Sequence, residues 1–130
     1  MSRSILSTAA LLGALAVILG AFGAHGLKSL VPPESVSTFE TGVRYHMYHV
    51  FALLATGLLS IHYPVLPMKR AAQCFLVGML LFSGSLYLLT LLKATETVGL
   101  SRIGLITPIG GLFLVAGWLF LFWGLLKRHT

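Results

Sequence analysis

Four long apolar stretches dominate the sequence, and each contains few charged side chains. They lie at about residues 5–27, 43–61, 71–92 and 103–126. The hydrocarbon core of a bilayer is about 30 Å thick, and roughly 20 apolar residues of helix cross it. Only helices and closed barrels satisfy their backbone hydrogen bonds in lipid. We therefore predict an all-α membrane protein, a four-transmembrane-helix bundle in which residues 1–130 form one integral membrane domain.

The composition excludes several other classes of protein. Hydrophobic residues make up 57% of the chain and charged residues 9%, whereas a soluble domain has about 25% charged residues. The net charge of +6 is spread in ones and twos between the apolar stretches, which does not form the basic face of a nucleic-acid-binding protein. Cys74 is the only cysteine, so one chain cannot form a disulfide or a cysteine-based metal site.

The first apolar stretch could also be a secretory signal, with Arg3 before it and a small-residue sequence at 21–24 near its end. It is longer than the apolar region of a typical signal, which has about 7–15 residues. We therefore expect it to remain in the protein as the first helix.

The basic residues predict the orientation in the membrane. One side of the predicted bundle carries no acid and five basic residues: Arg3, Lys69, Arg70, Lys127 and Arg128. The other side carries all three acids and four basic residues: Lys28, Arg44, Lys93 and Arg102, with Glu34, Glu40 and Glu96. Because Lys and Arg mark cytoplasmic loops, we predict a multi-pass protein of the plasma (inner) membrane with both termini in the cytoplasm. Tyr63, Trp118 and Trp123 would then lie toward the inner leaflet.

Small residues and prolines predict how the helices begin and pack. Pro33 is expected to start a short amphipathic helix at the interface, before the second span. Small residues at four-residue spacing in helix one, and at seven-residue spacing in helix four, allow close backbone approach. They are Ala16, Gly20 and Ala24, and Gly110, Gly117 and Gly124.

Several polar residues fall in the outer half of this predicted bundle. Ionisable groups inside membranes are costly, and they usually face the bundle or a water-filled cavity. Our candidate binding residues are therefore His25, Arg44, Tyr45, His49, Tyr87 and Thr107.

His49 is the most deeply placed titratable residue in the prediction, on one helix face with Tyr45 and Thr56. It is interpreted first as a neutral imidazole bonded to a neighbouring helix. A proton relay, ligand binding or metal and haem ligation are alternatives. Its expected partners are His25, Ser83, Tyr87, Thr107 or a bound water.

Two neighbouring features carry weaker signals. His46 lies three residues before His49, but such a pair alone does not predict a metal site, and we predict none. Glu40 and Arg44 are spaced for a helical ion pair, which is interpreted as a surface contact. Alternatively, Arg44 could hold a lipid phosphate or a small anion.

Four motifs resemble those of the YgdD family of small inner-membrane proteins, in the same order along nearly the whole chain. They are Gly20–His25, Thr41-Gly42 with Tyr45 and His49, Phe82–Tyr87, and Thr107–Gly111 with Gly117-Trp118. This domain-of-unknown-function family implies four helices and a membrane location. The resemblance also matches His25, Tyr45, His49 and Tyr87 to motif positions, and leaves Arg44 and His46 at variable ones.

No nucleophile, base and acid set stands out, and three acids near one surface are a poor basis for catalysis. We therefore expect a non-enzymatic protein without cofactor that binds membrane lipid or another small amphiphile, or assembles as a homo-oligomer or with a membrane-protein partner. One alternative is a redox-linked protein that holds haem or quinone through His25 and His49. A second alternative is an oligomeric proton or small-solute channel.

Overall fold

The computed structural model describes residues 1–95 and 100–127, in which all regular structure is helical. The long helices are α1 (Ser2–Ala24), α2 (Pro33–His62), α3 (Leu66–Ala94) and α4 (Ile106–Lys127). A short 3₁₀ helix, Gly26–Ser29, follows α1, and another, Leu100–Leu105, precedes α4. The all-α prediction is confirmed, while the predicted link between the third and fourth helices lies partly outside the described residues.

Three of the helical segments are long and apolar enough to cross a membrane: Ser2–Ala24, Leu66–Ala94 and Ile103–Lys127. The second helix is also long enough, at 30 residues. However, Arg44, His46 and His49 lower its hydropathy, and it does not reach the same apolar standard. A fourth span therefore stays a prediction.

The second helix begins ten residues earlier than the apolar pattern indicated. Pro33 occupies its first turn, and the helix continues without a break to His62. The expected short interfacial helix is therefore wrong as a separate element, because those residues are the first turns of α2. Val36 and Phe39 in these turns are buried with Leu27 and Val31, and this packing holds the segment against the end of α1.

The third helix also extends beyond its prediction, from Leu66 rather than from about residue 71. Pro67 lies in its first turn, where proline is favoured because that backbone N–H would have no helical partner. Lys69 and Arg70 consequently lie inside the helix and not in the loop before it.

Each helix packs mainly against its neighbours in the sequence, in the order α1, α2, α3, α4. The glycine row of α4 forms the contact with α3: Gly110 lies on the backbone of Phe82, Gly117 on the ring of Phe75, and Gly124 on Met68. The prediction that this row permits tight packing is confirmed.

α1 and α2 pack antiparallel, and this pairing determines which residues of the two helices lie at the same height in the bundle. Gly13 faces Val50, and Gly20 faces Val43. Ala16, between them, is buried at 1% exposure, so this part of the small-residue row faces α2 as expected. Ala24, at the end of the row, is exposed.

Candidate functional site

His49 points into the bundle and uses both of its ring nitrogens. Its Nδ1 is 2.6 Å from the backbone carbonyl of Tyr45, and its Nε2 is 3.2 Å from Nε1 of Trp118. An indole nitrogen only donates, so Nε2 accepts and the proton is on Nδ1, which donates to Tyr45. His49 is therefore a neutral imidazole, 5% exposed, with both nitrogens satisfied.

The predicted direction of His49 is confirmed, but its predicted partners are wrong. The partner on a neighbouring helix is Trp118 of α4, which the sequence placed near the inner leaflet as an interfacial aromatic. The rings of Phe75 and Trp118 meet edge to face at 5.3 Å. Tyr45 stacks on His49 at 6.2 Å, while its own side chain is 39% exposed.

The neighbouring histidine, His46, forms a second and separate polar pair. Its Nδ1 is 2.9 Å from the hydroxyl of Tyr87 on α3. The side chain is 4% exposed, and its Nε2 is buried with no hydrogen-bond partner among the described residues. The backbone of Leu12 on α1 lies near this ring, but its contact with Nε2 does not meet hydrogen-bond geometry. An unsatisfied buried polar atom is uncommon in folded proteins and calls for an explanation.

A groove of about 280 Å³ lies against this pair, between α1 and α3. His46 and Tyr87 are its polar members, with the hydroxyl-bearing Thr8 and Ser83. The rest of its lining is apolar or glycine: Leu12, Leu15, Leu76, Met79, Leu80 and Gly84. The groove therefore combines an uncharged wall with one unpaired polar nitrogen.

Two predicted site residues lie away from both histidine pairs. His25 is exposed, and its Nδ1 is 3.1 Å from the carbonyl of Ala21 on its own helix. Because Gly23 faces Phe39 while Gly13 faces Val50, His25 lies about ten residues along the helix pair from His49, roughly 15 Å at 1.5 Å per residue. The sequence placed these histidines at one level, which is wrong.

Arg44 is exposed on α2. Among the described side chains it makes no ion pair with Glu40. The predicted surface pair is therefore not formed, which agrees with the small free energy of exposed pairs.

Hydroxyl groups of α3 bond to the two helices beside it. Ser85 and Thr107 are 2.5 Å apart through their oxygens and join α3 to α4. Ser83 donates to the backbone carbonyl of Gly42 at 2.7 Å. Thr107, a predicted binding residue, thus has a structural partner of its own.

The described residues contain no group of three or more His, Cys, Asp and Glu side chains that could hold a metal ion. The alternative of haem held through His25 and His49 also lacks geometric support. His25 lies far along the helix pair, and the Nε2 lone pair of His49 accepts a hydrogen bond from Trp118.

The sequence reasoning overlooked His46 and Trp118 as site residues. Residues three apart on a helix point about 60° from one another, since each residue turns it by about 100°. His46 and His49 can therefore reach different neighbouring helices, α3 and α4. That angular difference was available from the spacing alone, whereas the identities of the partners depended on helix order.

The fold defines an all-α protein of the membrane class, with several long apolar helices around a small polar interior. The chain belongs to the family described as "Protein of unknown function (DUF423)", whose pattern matches residues 19–111. It is 37% identical over 130 residues to a "UPF0382 membrane protein" of Haemophilus influenzae, covering 100% of this chain and 99% of that protein. It is 39% identical over 106 residues to the UPF0382 membrane protein YwdK of Bacillus subtilis, covering 81% of each.

A relative also occurs in a eukaryote. The UPF0382 membrane protein C1782.12c of Schizosaccharomyces pombe is 40% identical over 118 residues, covering 88% of this chain and 95% of that protein. No solved structure matches the chain.

Proposed function

We propose that this protein is a non-enzymatic membrane protein that binds one amphiphilic lipid molecule in the groove between α1 and α3. The single observation that supports this proposal is the buried, unpartnered Nε2 of His46 beside the groove. A polar atom without a partner in an apolar surrounding costs about 1–3 kcal/mol. A ligand that brings a polar atom to Nε2 and an apolar chain to the groove wall offsets that cost.

The lining favours a neutral ligand. The groove is bordered by no Lys, Arg, Asp or Glu among the described residues. A charged head group there would be desolvated without a counterion, which is strongly unfavourable. The ligand is therefore an uncharged amphiphile, or a lipid whose charged part stays outside the groove.

α1 and α3 both flank α2, but they do not pack closely on each other. Nε2 itself is shielded by its surroundings, so the ligand must displace part of the groove wall to reach it. Leu12 and Leu15 of α1 belong to that wall, and flexible side chains of this kind can move without disturbing the backbone of α2.

Retention of lipid through purification tests the proposal. Gly84 lines the groove, and a Cβ at this position would meet only Leu80, at 3.9 Å. Gly84→Leu therefore fills the groove without clashing with the helices. Gly111→Leu is the matched control, since a Cβ there meets only Phe82, at 3.8 Å, outside the groove.

After purification in mild detergent, lipids are extracted and quantified per mole of protein by mass spectrometry. We expect one neutral amphiphile to be enriched with the wild type and with Gly111→Leu, and to be lost from Gly84→Leu. Equal lipid content in all three proteins would mean that only annular lipid is present. If a second copy of the chain occupies the groove instead, the wild type would be a dimer and Gly84→Leu would be a monomer. Either result contradicts the proposal.

We also propose that α2 forms the fourth span and that both termini lie in the cytoplasm of an inner (plasma) membrane. α2 packs between α1 and α3, both of which are apolar enough to span. Its polar residues His46 and His49 are buried, so its hydropathy understates how apolar its outer surface is. The resemblance to YgdD proteins, which stays a prediction, implies the same location.

A further inference from the structure

His46 has two possible neutral forms, and its contact with Tyr87 distinguishes between them. If Nδ1 carries the proton, it donates to the Tyr87 oxygen, and the phenol proton then needs an acceptor elsewhere. The described structure gives Tyr87 no hydrogen-bond partner other than His46. If Tyr87 donates to Nδ1 instead, the phenol proton is satisfied and the ring proton is on Nε2.

The first form would leave two unsatisfied groups in an apolar site, the phenol proton and the Nε2 lone pair. The second leaves only one, the Nε2–H group. Each unsatisfied buried group costs about 1–3 kcal/mol, so the second form is the more stable.

We infer that the groove selects a ligand whose polar atom is a hydrogen-bond acceptor without a proton of its own, such as the carbonyl oxygen of a ketone, a quinone or an acyl ester. This inference rests on the proposed function, since it names the chemistry of the ligand at the same site. Nε2–H donates to such an oxygen, and the bond satisfies His46 completely. An alcohol can accept the same bond, but its own proton then needs a second acceptor in a largely apolar groove.

His49, one turn along the helix, provides an internal reference. Trp118 donates to its Nε2, so its ring proton is on Nδ1. The two buried histidines are thus fixed in opposite tautomers by a tyrosine donor on one side and a tryptophan donor on the other. Ring-nitrogen NMR distinguishes these forms directly.

The first experiment uses the full chain with ¹⁵N-labelled histidine in detergent micelles, with resonances assigned from His46→Gln and His49→Gln. We expect His46 to be protonated on Nε2 and His49 on Nδ1. Tyr87→Phe removes the donor, so the His46 signals should shift toward a mixture of tautomers while those of His49 stay unchanged. Protonation of His46 on Nδ1, or identical His46 signals in the wild type and Tyr87→Phe, would overturn the inference.

The second experiment compares a long-chain methyl ketone with the secondary alcohol of the same carbon skeleton as probes. We expect the wild type to bind the ketone at least about fivefold more tightly, since one unsatisfied proton separates the two complexes. Tyr87→Phe should bring the ratio close to one, and Gly84→Leu should weaken the binding of both probes.

The outcomes separate the two ideas. Equal affinities in the wild type, with both lost in Gly84→Leu, would contradict the ligand chemistry and leave the groove as the binding site. Binding that Gly84→Leu does not weaken would contradict the groove itself. If neither probe binds the wild type, the acceptor chemistry is contradicted, and the lipid-retention result then decides the proposed function independently.

Discussion

Adding one methyl group at Gly110 should separate α4 from α3, whereas the same change at the next residue should not. A Cβ on Gly110 would lie 2.8 Å from both the carbonyl carbon of Leu81 and the Cα of Phe82. These are backbone atoms of a central helix, so no rotamer change relieves the clash. At Gly111 the nearest atom is a side-chain carbon of Phe82 at 3.8 Å, an ordinary contact.

Replacing glycine by alanine inside a helix stabilises it by roughly 0.5–1 kcal/mol, and this gain applies to both positions. Overpacking costs about 1–3 kcal/mol, and a contact with rigid backbone falls at the upper end of that range. We therefore expect Gly110→Ala to lower the free energy of unfolding by about 2 kcal/mol. Gly111→Ala should leave it unchanged or raise it by up to about 1 kcal/mol.

Thermal unfolding of both variants in the same detergent, followed by circular dichroism and by Trp118 and Trp123 fluorescence, measures this difference. Both tryptophans lie on α4, so their emission reports on its detachment. Equal melting temperatures for the two variants would refute the close packing of Gly110 against α3.

Two further predictions follow from the site and from the orientation. Trp118→Phe keeps the ring contact with Phe75 but removes the donor that the described structure gives to His49 Nε2, so we expect the free energy of unfolding in detergent to fall by about 1–3 kcal/mol. Trp123 has no contact with His49 in the described structure, so a loss of the same size in Trp123→Phe would show that the hydrogen bond is not the cause. A reporter fused after the last residue should be active only if it works in the cytoplasm, because both termini are expected there, and activity of a periplasmic reporter would reverse the proposed topology.

Helical content and the α4 contacts could be predicted from sequence because they depend on local pattern. Apolar length alone indicates a helix in lipid. Gly110, Gly117 and Gly124 recur every seven residues and thus remain on one side of the helix. The physical reason for these features acts within a single segment, so no knowledge of its neighbours was needed.

The start of α2 and the partners of the histidines could not be predicted in this way. Hydropathy identifies only the apolar part of a helix. α2 begins earlier, at Pro33, because Val36 and Phe39 in its first turns are buried by packing. The partner of His49 depends on which helix lies beside α2 at its level. Trp118 also resembled an interfacial aromatic residue because tryptophan commonly occurs at that position in membranes.

The serial order of the helices has a consequence for how the chain is made. Each helix lies beside the one synthesised just before it, so a ribosome delivers every new segment next to a surface that is already in place. Contacts of this kind are local along the chain, which favours rapid assembly. The contacts of Gly13 with Val50 and of Gly20 with Val43 join α1 to α2 and need no residue of α3. Biogenesis can therefore proceed largely as successive dockings of neighbouring helices, and the buried Nε2 of His49 on α2 gains its donor only when Trp118 on α4 arrives.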